Sequence, residues 1–452
     1  MMMMYKNHLL PGALLVLLAF LVLPAHAQRG AMARNLRTLD GKIRESSVFS
    51  QHFTGFALYD PESTSILYQK DAFKYYTPAS NTKLFTLYTA LKVLGDSMPV
   101  LRYGMRDQLM YVQGTGNPLF LHPDFAENKQ GLEILSQAKN LLLYSADNYR
   151  DDHFGPGWSW ADYQYAYQVE KSSMPMYGNF VRFSRDSGQA TIQSRPAYFS
   201  QFLRPEARPG NGAYPRIFRE EHGAWFYYNR AALNGASFLR EVPFDQSDKT
   251  ICALLEDTLG VRVMPAEEIP GPLPVFSTLY APLPDTLLRR FMQESDNFLA
   301  EQLLLMCSEK LFGNLNTESV IEYAKSQLLN GLPDTLNWAD GSGLSRYNLF
   351  TPRTIVALLD RMYKEIPRER LFSILAVGGQ SGTIRSWYAG SPDPYVFAKT
   401  GSLANQHCLS GYLVTKKGKT LIFSFMHNNF IGPSSQVRAE MQKVLEWIRD
   451  TM

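Results

Sequence analysis

The chain has 452 residues, of which 45% are apolar and 19% charged, and its formal charge is +3. That length and composition suffice for two or three domains with proper cores and exclude a chain disordered throughout. The small charge, without clustered basic residues, excludes a nucleic-acid binder.

At the start, Lys6 precedes an almost wholly apolar run from Leu9 to Leu23, broken by Pro11. Ala25 and Ala27 then place small residues at the two positions that a signal peptidase reads. Residues 1–27 are expected to be a secretory signal peptide, cleaved after Ala27. An uncleaved anchor is the alternative, but the run is short for a membrane span, and no later run approaches that length. The expectation is an exported protein, periplasmic or otherwise extracytoplasmic, with no integral membrane span after cleavage.

Thr54–Tyr59 and Ser65–Tyr68 read as two short strands, with turn chemistry at Asp60-Pro61-Glu62-Ser63 between them. They lead to Pro78-Ala79-Ser80-Asn81-Thr82-Lys83. Leu84, Leu87, Leu91 and Leu94 follow at helical spacing, with Pro78 suited to the start of the helix and Gly95 to its end. Ser80 and Lys83 are thus neighbours near one helix start, a hydroxyl nucleophile beside an amine base. Alone, the pair says little, because on the order of one S-x-x-K is expected by chance in a chain this long.

Gln108–Val112 is strand-like, and Gln113-Gly114-Thr115-Gly116 breaks it without a phosphate-loop lysine. Residues 154 to 230 are rich in aromatics, and the alternation of Tyr163, Tyr165 and Tyr167 predicts a strand. Core and edge packing in a β-rich region is preferred there over a ligand platform. Thr250 to Leu259 predicts a helix ended by Gly260, with a strand at Val261–Val263. The proline-rich stretch from Pro265 to Pro274 marks a candidate boundary. From Pro284 the pattern is helical again. The chain closes with strands at Cys408–Val414 and Leu421–Met426, joined by a tight turn containing Gly418, and an amphipathic helix carrying Val437, Met441, Val444, Leu445 and Ile448.

Cys252, Cys307 and Cys408 form no C-x-x-C pair and no disulfide framework; small buried side chains are expected. None of the eight histidines has metal-ligand spacing, so no metal is expected.

Two segments change the weight of Ser80 and Lys83. They are Ser295-Asp296-Asn297 and Lys399-Thr400-Gly401-Ser402. Acyl transfer from a peptide needs a nucleophile, a base, a donor for the leaving amine and two N–H groups for the oxyanion. Ser80 would attack and Lys83 would take its proton. A free lysine titrates near ~10.4, so keeping Lys83 neutral at pH 7 costs roughly 4.6 kcal/mol unless its surroundings lower the pKa. Burial and a second cation, with Lys399 the candidate, would both do so. Ser295 can bridge Lys83 to the departing nitrogen, and Asn297 has a donor and an acceptor for a substrate amide. Gly401 lets substrate approach closely. Backbone N–H groups of Ser80 and Ser402 would form the oxyanion hole. Lys399, Thr400 and Ser402 would hold a terminal carboxylate.

The order S-x-x-K, S-D-N, K-T-G is the signature of penicillin-binding proteins and class A β-lactamases. The long interval between Lys83 and Ser295 separates the two, since class A β-lactamases have a short helical segment there. The chain resembles the D-alanyl-D-alanine carboxypeptidases of the PBP4 type, peptidase family S13. Further similar segments are Gly155-Pro156-Gly157-Trp158-Ser159-Trp160, Ser295 through Glu301, Asp340-Gly341-Ser342-Gly343-Leu344-Ser345, Gly378-Gly379-Gln380-Ser381-Gly382-Thr383 and Ser410-Gly411-Tyr412. The segment Leu403 to Cys408 is less typical, and His407 is set aside as a base because Lys83 already supplies one.

The resemblance implies a mixed α/β, transpeptidase/β-lactamase-like fold, an antiparallel sheet of the five-stranded type flanked by helices and interrupted by a β-rich insertion. Residues 28–97 and 284–452 would form the transpeptidase-like domain and residues 98–283 the insertion. It implies a serine-type D-Ala-D-Ala carboxypeptidase, D-amino acid endopeptidase, or both, acting on peptidoglycan stem peptides through a Ser80 acyl-enzyme. β-Lactams would be covalent inhibitors and no cofactor would be needed. The alternatives are a β-lactamase, or a non-catalytic wall-binding or penicillin-sensing protein.

Overall fold

In the computed structural model the described residues are 30, 32–125, 129–206, 216–221, 223–234 and 236–452. The expected signal peptide lies outside them. Among the described residues no helix is long and apolar enough to cross a membrane.

The strand Phe53–Asp60 shows how the main sheet is built. Successive side chains alternate between its faces. Phe56 and Leu58 join one apolar cluster, while Ala57 and Tyr59 join another. Both faces are therefore covered, and helices cover them. Phe53–Asp60 lies in a six-stranded sheet in the order Ala376–Val377, Val396–Leu403, Gln406–Val414, Thr420–Asn428, Phe53–Asp60, Ser65–Lys70. Every neighbouring pair is antiparallel.

On one face, Leu39 and Ile43 of a helix over residues 32–44 pack with Val437, Met441, Val444, Leu445 and Ile448 of Ser434–Thr451. The C-terminal helix thus sits on its own sheet, as its apolar stripe predicts. The other face carries Lys83–Leu94, Asn297–Phe312 and Pro352–Glu365. In Asn297–Phe312 every residue from Phe298 to Glu309 is buried. A helix apolar nearly all round belongs inside a core, and this one lies between the sheet's helices and the inserted sheets.

The second core belongs to the middle of the chain. Its largest sheet runs Arg262–Pro265, Leu141–Tyr144, Leu109–Gly114, Ser97–Arg106, Ser277–Pro282. Two three-stranded sheets adjoin it. The helix Asp248–Leu259 is capped by the Ser247 hydroxyl and closed by Gly260 in the left-handed conformation. The proline-rich stretch is a cover rather than an edge, since Ile269 and Leu273, with Phe276 just beyond, pack on Tyr111 of this sheet.

One predicted strand is absent. Residues 160–168 form two 3-10 turns, Trp160–Gln164 and Ala166–Gln168. The alternation there is not a pleat: Tyr165 and Tyr167 are each 49% exposed with rings stacked at 5.5 Å, while Tyr163 is half-buried against Arg219. Phe183, Phe199, Phe226 and Phe244 do form core, so the aromatics of this region divide between two roles. All three cysteines are buried and unpaired.

Candidate active site

Ser80 lies in the 3-10 turn Ala79–Thr82, which runs directly into the helix Lys83–Leu94. One turn of helix brings the Lys83 amine to 3.0 Å from Ser80 Oγ. Two more oxygens surround the amine, Asn297 Oδ1 at 2.6 Å and the Ser342 carbonyl at 2.6 Å. An ammonium would donate to all three. A neutral amine has two N–H groups and one lone pair. The two carbonyl oxygens can only accept, so they take the N–H groups and leave the lone pair for the Ser80 hydroxyl.

Burial pushes the Lys83 pKa down to about 8, opposed by the carboxylates of Asp340, Glu301 and Asp296. Desolvation does the work that the sequence reading shared with Lys399. The repulsion between the two amines registers on Lys399, whose pKa is driven well below its usual value by burial and then by Lys83.

Ser295 precedes the helix Asn297–Phe312. Asp296 caps that helix, its carboxylate accepting from the Leu299 N–H at 3.0 Å. To reach this position Ser295 takes a φ of +61°, a left-handed conformation that costs a non-glycine residue of order 1–2 kcal/mol. Its hydroxyl accepts from Lys399 Nζ at 2.8 Å, and Lys399 also donates to the Thr400 carbonyl at 2.8 Å. The Ser295 hydrogen is then free for another acceptor.

Asn297 is held at both ends of its amide. Its carbonyl oxygen serves Lys83 and its NH2 donates to the Tyr167 carbonyl at 2.8 Å. Both ends of the amide are engaged by the protein, so the side chain anchors the Lys83 amine and ties the 160–168 segment to the site. A Cβ at Gly401 would overlap the Pro78 carbonyl and stand 2.9 Å from Asn81 N and 3.0 Å from Ser80 N. The close approach is that of the Val396–Leu403 strand to the Ser80 turn, and the Asn81 side chain fastens it by donating to the Lys399 carbonyl at 3.0 Å.

Thr400 Oγ1 lies 2.7 Å from Thr383 Oγ1, so the Gly378–Thr383 loop adds a second hydroxyl beside the third motif. Ser402 faces His407 directly across the hairpin, with Oγ 2.8 Å from Nδ1. Burial, then Arg438, push the His407 pKa down to about 3, so the ring is neutral and oriented on Ser402. Among the described residues no group of three histidine, cysteine or acidic side chains is placed to hold a metal.

A further element came from the sequence only as a similar loop. Asp340 folds residues 340–348 by accepting from the N–H groups of Gly343 and Ser345 and from the Asn348 amide. The Trp158 indole N–H also donates to it, at 2.8 Å. Gly343 has a φ of +85° and packs against the Ala79 carbonyl, where a side chain would not fit. No local pattern joins Trp158, Asp340 and Ser80; the runs of glycine at 155–157 and 341–343 were the signal that backbone packs closely there.

An antiparallel sheet with a serine turn and a buried lysine beside it at its edge is an arrangement that fits a serine-type hydrolase. The chain matches the D-Ala-D-Ala carboxypeptidase 3 (S13) family over residues 36–450. It belongs to that peptidase family and is a serine-type D-Ala-D-Ala carboxypeptidase, endopeptidase, or both. It is 24% identical over 443 residues to the D-alanyl-D-alanine carboxypeptidase DacB of Haemophilus influenzae, covering 88% of each chain. It is 26% identical over 457 residues to the D-alanyl-D-alanine carboxypeptidase of Actinomadura sp. strain R39, covering 90% of this chain and 83% of that one. The fold is similar to the crystal structure of penicillin binding protein 4 (dacB) from Haemophilus influenzae, with TM-score 0.72 and 19% identity over 92% of this chain and 99% of that one. The latter protein has also been crystallised with a novel β-lactam; that structure matches with TM-score 0.65 and 20% identity over 92% of this chain and 98% of that one.

Proposed function

We propose that Ser80 is the nucleophile and Lys83 its base in hydrolysis of peptidoglycan stem peptides ending in D-Ala-D-Ala. The observation that carries this reading is the set of oxygens around Lys83 Nζ, two of which can only accept. As Lys83 takes the hydroxyl proton, Ser80 Oγ bonds to the carbonyl carbon of the penultimate residue. The oxyanion forms against the backbone N–H groups of Ser80 and Ser402. The C–N bond then breaks, and the departing nitrogen receives its proton through Ser295. Water hydrolyses the resulting ester by the same route, releasing the shortened peptide and Ser80.

Lys399, Thr400 and Ser402 line the side where a terminal carboxylate would lie, and hydrogen bonds to a charged group contribute about 1.5–3 kcal/mol each. Asn297 and Gly401 serve this site by holding the base and by letting the strand meet the Ser80 turn. β-Lactams acylate Ser80 as mimics of the substrate amide.

Residues 28–97 and 284–452 make up the catalytic unit and 98–283 an insertion. The pairing of Ser97–Arg106 with Ser277–Pro282, and the Leu283 N–H donating to the Asp96 carbonyl at 2.9 Å, support this division. The protein works outside the cytoplasm, a reading supported by the signal-like sequence of residues 1–27.

The test is intact-mass measurement after fluorescent penicillin, wild type against Ser80→Ala. Wild type should carry one adduct per chain and Ser80→Ala none; equal labelling would refute the nucleophile. Release of D-alanine from a tripeptide ending in D-Ala-D-Ala should show the same contrast.

A further inference from the structure

Beyond the three motifs, one buried acid is built into the site. Glu301 lies one turn past Asn297 on the same helix, so both side chains point to one face. It is 1% exposed. Its two oxygens accept from consecutive backbone groups, the Gly341 N–H at 3.1 Å and the Ser342 N–H at 2.7 Å. The carbonyls of those two residues turn the other way, toward the nucleophile helix. Gly341 O accepts from Thr86 Oγ1 at 2.7 Å, and Ser342 O accepts from Lys83 Nζ at 2.6 Å. The segment is therefore held like a strap, by a carboxylate on its N–H side and by Lys83 and Thr86 on its carbonyl side. It has no slack: a Cβ at Gly341 would stand 2.7 Å from the Ala300 carbonyl.

We infer that Glu301 is a positioning residue for the reaction, holding the Ser342 carbonyl against Lys83 and setting with its charge how readily Lys83 gives up a proton. This rests on the reading of Lys83 as the base. The carbonyl fixes one N–H of the neutral amine, and Asn297, from the same helix, fixes the other. Two adjacent turns of one helix thereby aim the lone pair at Ser80. The charge acts in the opposite sense to burial. An ionised Glu301 favours the ammonium form of Lys83, as do Asp340 and Asp296. Glu301 itself is raised above the usual carboxylate range by burial and then by Asp340, while Lys171 and the two N–H donors lower it. Asp340, Lys171 and Asp296 are the other charged groups that act on Glu301 or Lys83 here, and Lys399 repels Lys83. With Glu301 raised to about 7 and Lys83 lowered to about 8, Glu301 is mostly ionised at the midpoint of the Lys83 titration and holds that proton on.

The test is the second-order rate of acylation by fluorescent penicillin from pH 6 to 10, in wild type, Glu301→Gln and Glu301→Asp, with a melting curve for each. In Glu301→Gln the plateau rate should fall about tenfold, because the amide NH2 faces an N–H donor and the strap shifts. The acid limb should also move to lower pH, by about 0.5 or more, because a negative charge near the amine is gone. In Glu301→Asp the charge stays but the oxygens retreat, so the plateau should fall while the limb stays in place. A limb unmoved in folded Glu301→Gln overturns the electrostatic role, and an unchanged plateau overturns the positioning role. If Glu301→Gln does not fold, a wild-type plateau or a displaced limb in Glu301→Asp overturns the inference. Lys83→Met separates this failure from failure of the base assignment: wild-type acylation there would remove the base, whatever Glu301 does.

Discussion

Lys399 Nζ lies 2.8 Å from Ser295 Oγ across 104 positions of sequence, a donor that fixes which way the serine hydrogen points. Lys399 is fully buried and also donates to its neighbour's carbonyl, Thr400 O.

On the proposed route, removing the Ser295 hydroxyl deprives the departing nitrogen of its proton relay, and it leaves the Lys399 amine short of an acceptor. Ser295→Ala should lower the acylation rate on the order of 10²-fold while the protein stays folded. Stopped-flow fluorescence with a labelled penicillin measures it. A rate within twofold of wild type would exclude Ser295 from proton transfer.

The pH profile follows from Lys83. Its pKa of about 8 means that the amine is mostly protonated below that pH and mostly free above it. The base must be free, so acylation should rise with pH, reach half its plateau near 8, and fall about tenfold for each pH step below that. A profile flat from pH 6 to 9 would remove Lys83 from the role of base.

Gly401→Ala tests the contact between strand and turn. The added methyl meets the Pro78 carbonyl, with Asn81 N at 2.9 Å and Ser80 N at 3.0 Å. Backbone on both sides cannot rotate away, so the strand must lift, at about 1–3 kcal/mol. Both a lowered melting temperature and a loss of acylation are expected. Full activity with unchanged melting would show that the turn yields.

Trp158→Phe tests the tie between the inserted region and the site. It deletes the 2.8 Å donor to Asp340 but keeps most of the apolar bulk. A hydrogen bond to a charged group is worth about 1.5–3 kcal/mol, so the urea midpoint should fall with the slope unchanged. An unchanged midpoint would mean that water replaces the indole without loss.

Much of the molecule was legible from local pattern. The leucine spacing after Lys83, the helix ending at Gly260 and the closing hairpin and helix follow from backbone periods of two and 3.6 residues and from glycine stops, which short stretches encode. The failure at Tyr163, Tyr165 and Tyr167 has the same root. A period of two also arises without a pleat, and only the surroundings tell the cases apart.

The sequence by itself determined the Ser80–Lys83 neighbourhood, because one turn of helix sets it, and the identity of the three motifs. The tertiary structure alone decided what those motifs touch. Lys83 meets Ser342 across 259 positions, Asn297 turns to Tyr167 across 130, and Gly401 makes room for the Pro78 carbonyl. Helical neighbours are fixed by covalent geometry within a few residues; partners so far apart are chosen by how whole layers pack, and no short stretch of sequence carries that information.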